Sequence, residues 1–115
     1  PHKKLLVWQK AIEMVSKIYS ATEYFPKKEE FGLASQLRRA AVSVPANIAE
    51  GLTRKTKADK LHFLNISQSS LSELDTHLEI SRRLEYMKEE AFESTERDLV
   101  EIQKLLGGLI RSIRS

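Results

Sequence analysis

Cysteine is absent from this chain of 115 residues. That excludes a disulfide framework, a thiolate metal site and a cysteine nucleophile, and it makes a reducing cytoplasm the expected compartment. No segment alternates apolar and polar residues as a half-buried strand does, and no Asn-Gly or Asp-Gly hairpin signal occurs. The longest run free of Asp, Glu, Lys and Arg is Leu61 to Ser72, twelve residues. A membrane span needs about 20 apolar residues, so no membrane partner is expected. The opening Pro1-His2-Lys3-Lys4-Leu5-Leu6-Val7-Trp8-Gln9-Lys10 meets charge on both sides of its short apolar patch, which argues against a signal peptide.

Motifs of the commoner enzyme classes are missing too. There is no Gly-x-Ser-x-Gly elbow, no Walker loop and no Gly-x-Gly-x-x-Gly. The two-metal site of some helical bundles needs Glu-x-x-His twice with two further inward glutamates, and the chain has none of it. Glu73 and His77, four apart, share one helix face and read as a solvated ion pair rather than a metal site. No cofactor, no metal and no enzymatic activity are expected.

What is present is helical period. Trp8, Ala11, Ile12, Val15, Ile18, Tyr19, Thr22 and Phe25 recur at spacings of three and four, and a first helix is expected to end at Phe25-Pro26. A second is expected from about Glu30 to Glu50, with Leu33, Leu37, Ala40, Ala41, Val44 and Ile48 inward, a kink at Pro45 and a stop at Gly51. After a loop from Leu52, Thr56 is the expected N-cap of a long third helix reaching about Tyr86. Its stripe is Lys60/Leu61, Leu64, Ser67, Leu71, Leu74, Leu78 and Ser81, in which Ser67, Ser70 and Ser81 let backbones approach. In the fourth, Phe92, Leu99, Leu106 and Ile113 repeat every seven residues with Thr95, Ile102 and Leu109 between them. Gly107-Gly108 interrupts it, and close packing of a neighbour's backbone is the favoured explanation over fraying. Short connections make consecutive helices antiparallel. The expected fold is all-α, one domain over residues 1–115, an antiparallel up-down-up-down four-helix bundle.

Two features bear on partners. Ala40 to Ala49 carries no charge in a chain that is 30% charged. A helical segment without a polar side must be covered all round, so Ala40, Ala41, Val42, Val44, Pro45 and Ile48 are expected at an oligomer interface. Charge is also uneven, since residues 1–60 hold 12 Lys/Arg against 6 Asp/Glu and residues 61–115 hold 7 against 10. Arg54, Lys55, Lys57 and Lys60, with Arg38 and Arg39 one helix earlier, are candidate phosphate contacts for RNA or DNA. No aromatic interleaves with them, so backbone and shape would be bound rather than sequence. A solvated loop is the plain alternative for Arg54 to Lys60, and an ion pair to Glu50 or the fourth helix for Arg38-Arg39. Asn47 and Glu50 are expected to satisfy groups freed by Pro45. Trp8, Tyr19, Phe25 and Phe31 are read as packing residues.

Val7-Trp8-Gln9-Lys10-Ala11, Tyr19, Phe25-Pro26, Phe31-Gly32-Leu33, the block from Gln36 to Gly51, Phe63-Leu64 and Ser70-Leu71-x-Glu73-Leu74 resemble the bacterial four-helix bundle family of rRNA intervening-sequence proteins. The resemblance runs from about Leu5 to Tyr86. It implies a left-handed bundle assembling as a ring-like homopentamer. It also implies kinship with the accessory variability determinant of diversity-generating retroelements, which binds nucleic acid and a reverse transcriptase through a basic surface. The resulting expectation is a non-enzymatic, oligomeric, nucleic-acid-associated protein. A scaffold recruiting a protein client is the alternative.

Overall fold

A computed structural model describes residues 2–115. Each apolar stripe becomes a helix: α1 is Leu6–Thr22, α2 Leu33–Thr53, α3 Lys57–Arg83 and α4 Glu89–Arg114. Short 3-10 turns lie at His2–Lys4 and Lys27–Glu29. The four helices form a bundle 44 × 24 × 21 Å in extent. α1 packs on α2 and α4, and α3 packs on α2 and α4, while backbones on the diagonals stay apart.

Side-chain pairs fix the antiparallel register. Between α1 and α4, Lys10 meets Glu101 at 3.2 Å and Lys17 meets Asp98 at 2.7 Å. Between α1 and α2, Arg38 Nε donates to Thr22 Oγ1 at 2.8 Å. From α3, Ser67 Oγ donates to the Val44 carbonyl of α2 at 2.8 Å, and Arg82 lies over the Phe92 ring of α4.

The core is built from Val7, Ala11, Met14 and Ile18 of α1 with the expected inward residues of α2 and the leucines of α3. Val7 and Met14 replace Trp8, Ile12, Val15 and Tyr19 of the expected stripe, because a stripe drawn through all of these is wider than one buried face. α1 ends at Thr22, three residues before the expected stop. Phe25 is nevertheless buried, and it packs beyond the helix end on Tyr86. In α4 the buried set is Thr95, Leu99, Ile102, Leu106 and Ile110, so burial passes from Leu109 to Ile110. A straight helix drifts by about 20° per heptad against a 3.5-residue repeat, and by its last turn the drift has changed which residue faces in.

Two glycine expectations are corrected. Gly51 does not stop α2, which runs on to Thr53; it is buried where α2 and α3 approach. A Cβ there would sit 3.1 Å from the Lys60 carbonyl oxygen and 3.2 Å from Phe63 Cβ. Gly107 and Gly108 neither fray nor receive a neighbour's backbone, since an added Cβ would meet only the Arg111 guanidinium, at 3.4 and 3.8 Å. α2 continues through Pro45. Asn47 Nδ2 donates to the carbonyl and hydroxyl of Ser43 one turn back, while Glu50 is occupied by Arg54.

Thr56 caps α3 as expected, accepting from the Asp59 amide at 3.1 Å. At the other end α3 closes with a Schellman motif: the Tyr86 amide reaches the Ser81 carbonyl and the Glu85 amide the Arg82 carbonyl. Glu85 holds the left-handed position with φ 62°, where a side chain is disfavoured and glycine is usual. Glu85→Gly is therefore expected to stabilise the bundle by about 0.5–1 kcal/mol, read as a higher denaturation midpoint.

Candidate nucleic-acid interface and assembly face

The antiparallel register brings three separate pieces of chain to one end of the bundle. α2 ends there and α3 begins there, so Arg54, Lys55, Lys57 and Lys60 share the turn between them. α1 starts there, which adds Lys3 and Lys4, and α4 finishes there, which adds Arg111 and Arg114. All of these except the half-buried Lys60 are exposed. The carboxylates at this end are Glu50, already bound by Arg54, and Asp59 in the first turn of α3.

Not every expected contact residue is free to bind a phosphate. Arg54 pairs with Glu50 and lies over the Phe63 ring at 4.7 Å, and Lys60 Nζ is 3.5 Å from the Leu52 carbonyl. Lys55 and Lys57 extend into solvent. Arg38 and Arg39 do not join this group, because the helix between Arg39 and Arg54 sets them roughly 22 Å apart along its axis. Arg38 donates to Thr22 and stacks on Tyr19 at 4.9 Å, so its ion-pair reading gives way to an α1–α2 tie; Arg39 is exposed. Glu50, offered above as a partner for Arg38-Arg39, answers Arg54 instead.

The uncharged block of α2 is covered mostly by its own chain. Ala40, Ala41, Val44, Pro45 and Ile48 are buried inside the bundle, and of the expected interface residues only Val42, 42% exposed, is left to meet anything else. Beside it Ala46 is exposed, and across the α1–α2 groove lie the exposed Ile12 and Tyr19 with half-buried Trp8 and Val15. Spacings of three and four along α1 join Trp8, Ile12, Val15 and Tyr19 into one stripe that a single chain covers only in part.

The opposite end carries what pattern reading missed. Glu29 Oε1 accepts from the Leu33 amide at 3.1 Å and caps α2, which begins on Gly32 with no side-chain cap of its own. Its other oxygen accepts from the Tyr86 hydroxyl at 3.1 Å, tying the α1–α2 connection to the α3–α4 connection. Phe31, read as a packing residue, is 91% exposed, and Tyr24 is 85% exposed. Near them a hollow of about 860 Å³ opens between α1 and α4, where Ala21 and Ala91 leave space and Tyr24, Tyr86 and Met87 supply apolar wall.

Chemistry beyond recognition has little to work with. His77 Nε2 lies 3.5 Å from Glu73 Oε2, so the expected pair forms, but the imidazole is largely buried rather than solvated; no cluster of three metal-ligating side chains occurs among the described residues. On the α3–α4 face burial, then the Asp75 carboxyl beside it and Glu79, push Glu96 up to about 7. An acid raised in the folded state takes up a proton on folding, so this contribution is complete below the ordinary value near 4.5 and is lost as pH rises through 7. Stability is expected to be about 1 kcal/mol lower at pH 8 than at pH 5, after screening by solvent. Melting curves at the two values, with Glu96→Gln flattening the difference, check this.

Among the described residues no helix is long and apolar enough to cross a membrane. A search of curated proteins finds no match. Among solved structures the chain is similar to a protein of unknown function from the S23 ribosomal protein family of Bacteroides thetaiotaomicron. The two share 32% identity with a TM-score of 0.84 over 91% of this chain and 98% of that one. The family model described as 23S rRNA-intervening sequence protein matches residues 3–108. Bundle, sequence block and these matches agree, and the chain belongs to the 23S rRNA-intervening sequence protein family.

Proposed function

We propose that this non-enzymatic bundle works as an oligomeric, cytoplasmic nucleic-acid-associated protein that grips phosphate backbones through its cationic end. The observation that carries the reading is the meeting of Lys3, Lys4, Arg54, Lys55, Lys57, Lys60, Arg111 and Arg114 at one end, where Glu50 and Asp59 are the acidic side chains among the described residues. Each phosphate neutralised releases counterions, and affinity then falls steeply with salt. Assembly multiplies the effect, because several weak patches on one particle bind a polyanion together. The exposed apolar side chains of Ile12, Val42 and Ala46, beside the half-buried Trp8 and the Arg38-stacked Tyr19, support contact between copies. A homopentameric ring is the form implied by the family resemblance, as is the kinship with the accessory variability determinant.

Retention on immobilised duplex RNA and DNA tests the reading. Binding at low salt that disappears when Arg54, Lys55, Lys57 and Lys60 are neutralised together is the expected result. No retention even at low salt overturns it and leaves a protein-binding scaffold as the reading to pursue.

A further inference from the structure

Phe31 stands out on energetic grounds. At 91% exposure it is the most exposed large apolar side chain among the described residues, and a fully wetted phenyl ring contributes nothing to the chain that carries it. The same end of the bundle holds an apolar hollow that the chain leaves unfilled. Its apolar lining is Ala21, Tyr24, Tyr86, Met87 and Ala91, beside serines and Thr95. Its volume of about 860 Å³ has room for a phenyl ring together with the turn that carries it.

Knob and hollow cannot satisfy each other within one copy. Phe31 precedes α2, whereas the hollow lies on the face shared by α1 and α4, and α2 and α4 occupy diagonal corners of the bundle. They do lie at the same height along its axis, since α2 and α4 both begin at this end. A second copy related by rotation about an axis parallel to the bundle therefore brings knob to hollow with the two bundles side by side. Such a contact uses different surfaces on the two copies, and repeated rotation closes a ring. Charges at the contact are complementary as well. Exposed Lys28 and Glu30 flank the knob, and exposed Glu85 and Lys88 flank the hollow, so that Glu30 can face Lys88 while Lys28 faces Glu85. Lys17, also in the lining, is already held by Asp98 and Ser94.

We propose that Phe31 of one copy inserts into the α1–α4 hollow of the next and is the anchor of the assembly. The proposal rests on the reading that the chain oligomerises, and it names the contact that holds the copies together.

Sedimentation of Phe31→Ser beside the unaltered protein gives the first test. A buried aromatic anchor typically contributes 2 kcal/mol or more, so the concentration for half-dissociation is expected to rise about 30-fold or more. The helical signal of the dissociated copies should be unchanged, because Phe31 is wetted within its own chain. A second measurement uses the absence of cysteine. Copies carrying Phe31→Cys are coexpressed with copies carrying Lys88→Cys and mildly oxidised, and mixed disulfide dimers are the expected product. An assembled Phe31→Ser particle without mixed cross-links overturns the anchor and leaves assembly standing. An unaltered protein that sediments as a single copy at every concentration overturns both. A small molecule in the hollow of an intact particle likewise removes the anchor.

Discussion

Ser67→Leu is expected to lower stability by about 3 kcal/mol, against about 1 kcal/mol for Ser67→Ala, measured as shifts of the denaturation midpoint. Ser67 is wholly buried, and its hydroxyl donates to the Val44 carbonyl one residue before Pro45. Removing the hydroxyl deletes one neutral hydrogen bond. Inserting leucine deletes that bond and also overfills a contact between backbones. Nearby, Ser70 Oγ reaches Ser43 Oγ at 2.8 Å, and a Cβ on Gly51 would press on the Lys60 carbonyl oxygen at 3.1 Å. With small residues on both sides for several turns, α2 and α3 cannot separate at Ser67 alone without opening the whole row. A leucine variant as stable as the native protein would mean that the two helices are not in this close contact.

That contact was legible in the chain, and the reason is physical. Serines at Ser67, Ser70 and Ser81 occur where the stripe calls for leucine and all three are buried; Ser67 and Ser70 reach α2, whereas Ser81 donates to the His77 carbonyl of its own helix. A buried small polar residue has few explanations besides close approach with a backbone partner. Helix period was legible for the same local reason, since the inward residues of α2 and α3 sit where spacing puts them. Pro45 did not end its helix, because packing on both sides outweighs the one bond that proline removes.

Other features depend on geometry that no local pattern holds. Gly51 reads as a helix stop from its neighbours, yet its role is set by Lys60 and Phe63 on another helix. Leu109 and Ile110 differ only in accumulated rotation, and a heptad template has none. Phe31 looks like core by composition, but its exposure follows from the turn between α1 and α2. The uncharged block of α2 was expected to demand outside cover at Ala40, Ala41, Val44, Pro45 and Ile48, whereas these residues are buried within the bundle, where α2 packs on α1 and α3. An uncharged segment announces burial without saying who buries it.

The cationic end is the clearest example, and it leads to the second large effect. Lys3 and Lys4 are about a hundred residues from Arg111 and Arg114, and only the antiparallel register places the four beside Arg54 to Lys60. On the polyanion reading, neutralising Lys3, Lys4, Arg111 and Arg114 together is expected to weaken duplex binding about 100-fold or more at low salt. It should also flatten the dependence of log affinity on log salt by up to about 3.6 units, near 0.9 for each phosphate that is no longer neutralised. Each of these side chains is exposed, so folding should be little changed, and melting curves of the same variant check that. Arg39→Gln is the control, a single charge that is exposed but lies roughly 22 Å away along α2. If it costs about a quarter of the logarithmic loss of the fourfold variant, binding follows net charge and the end has no special part in it. If the terminal cations alone change the slope, the register of the bundle has created a site that neither end of the sequence contains by itself.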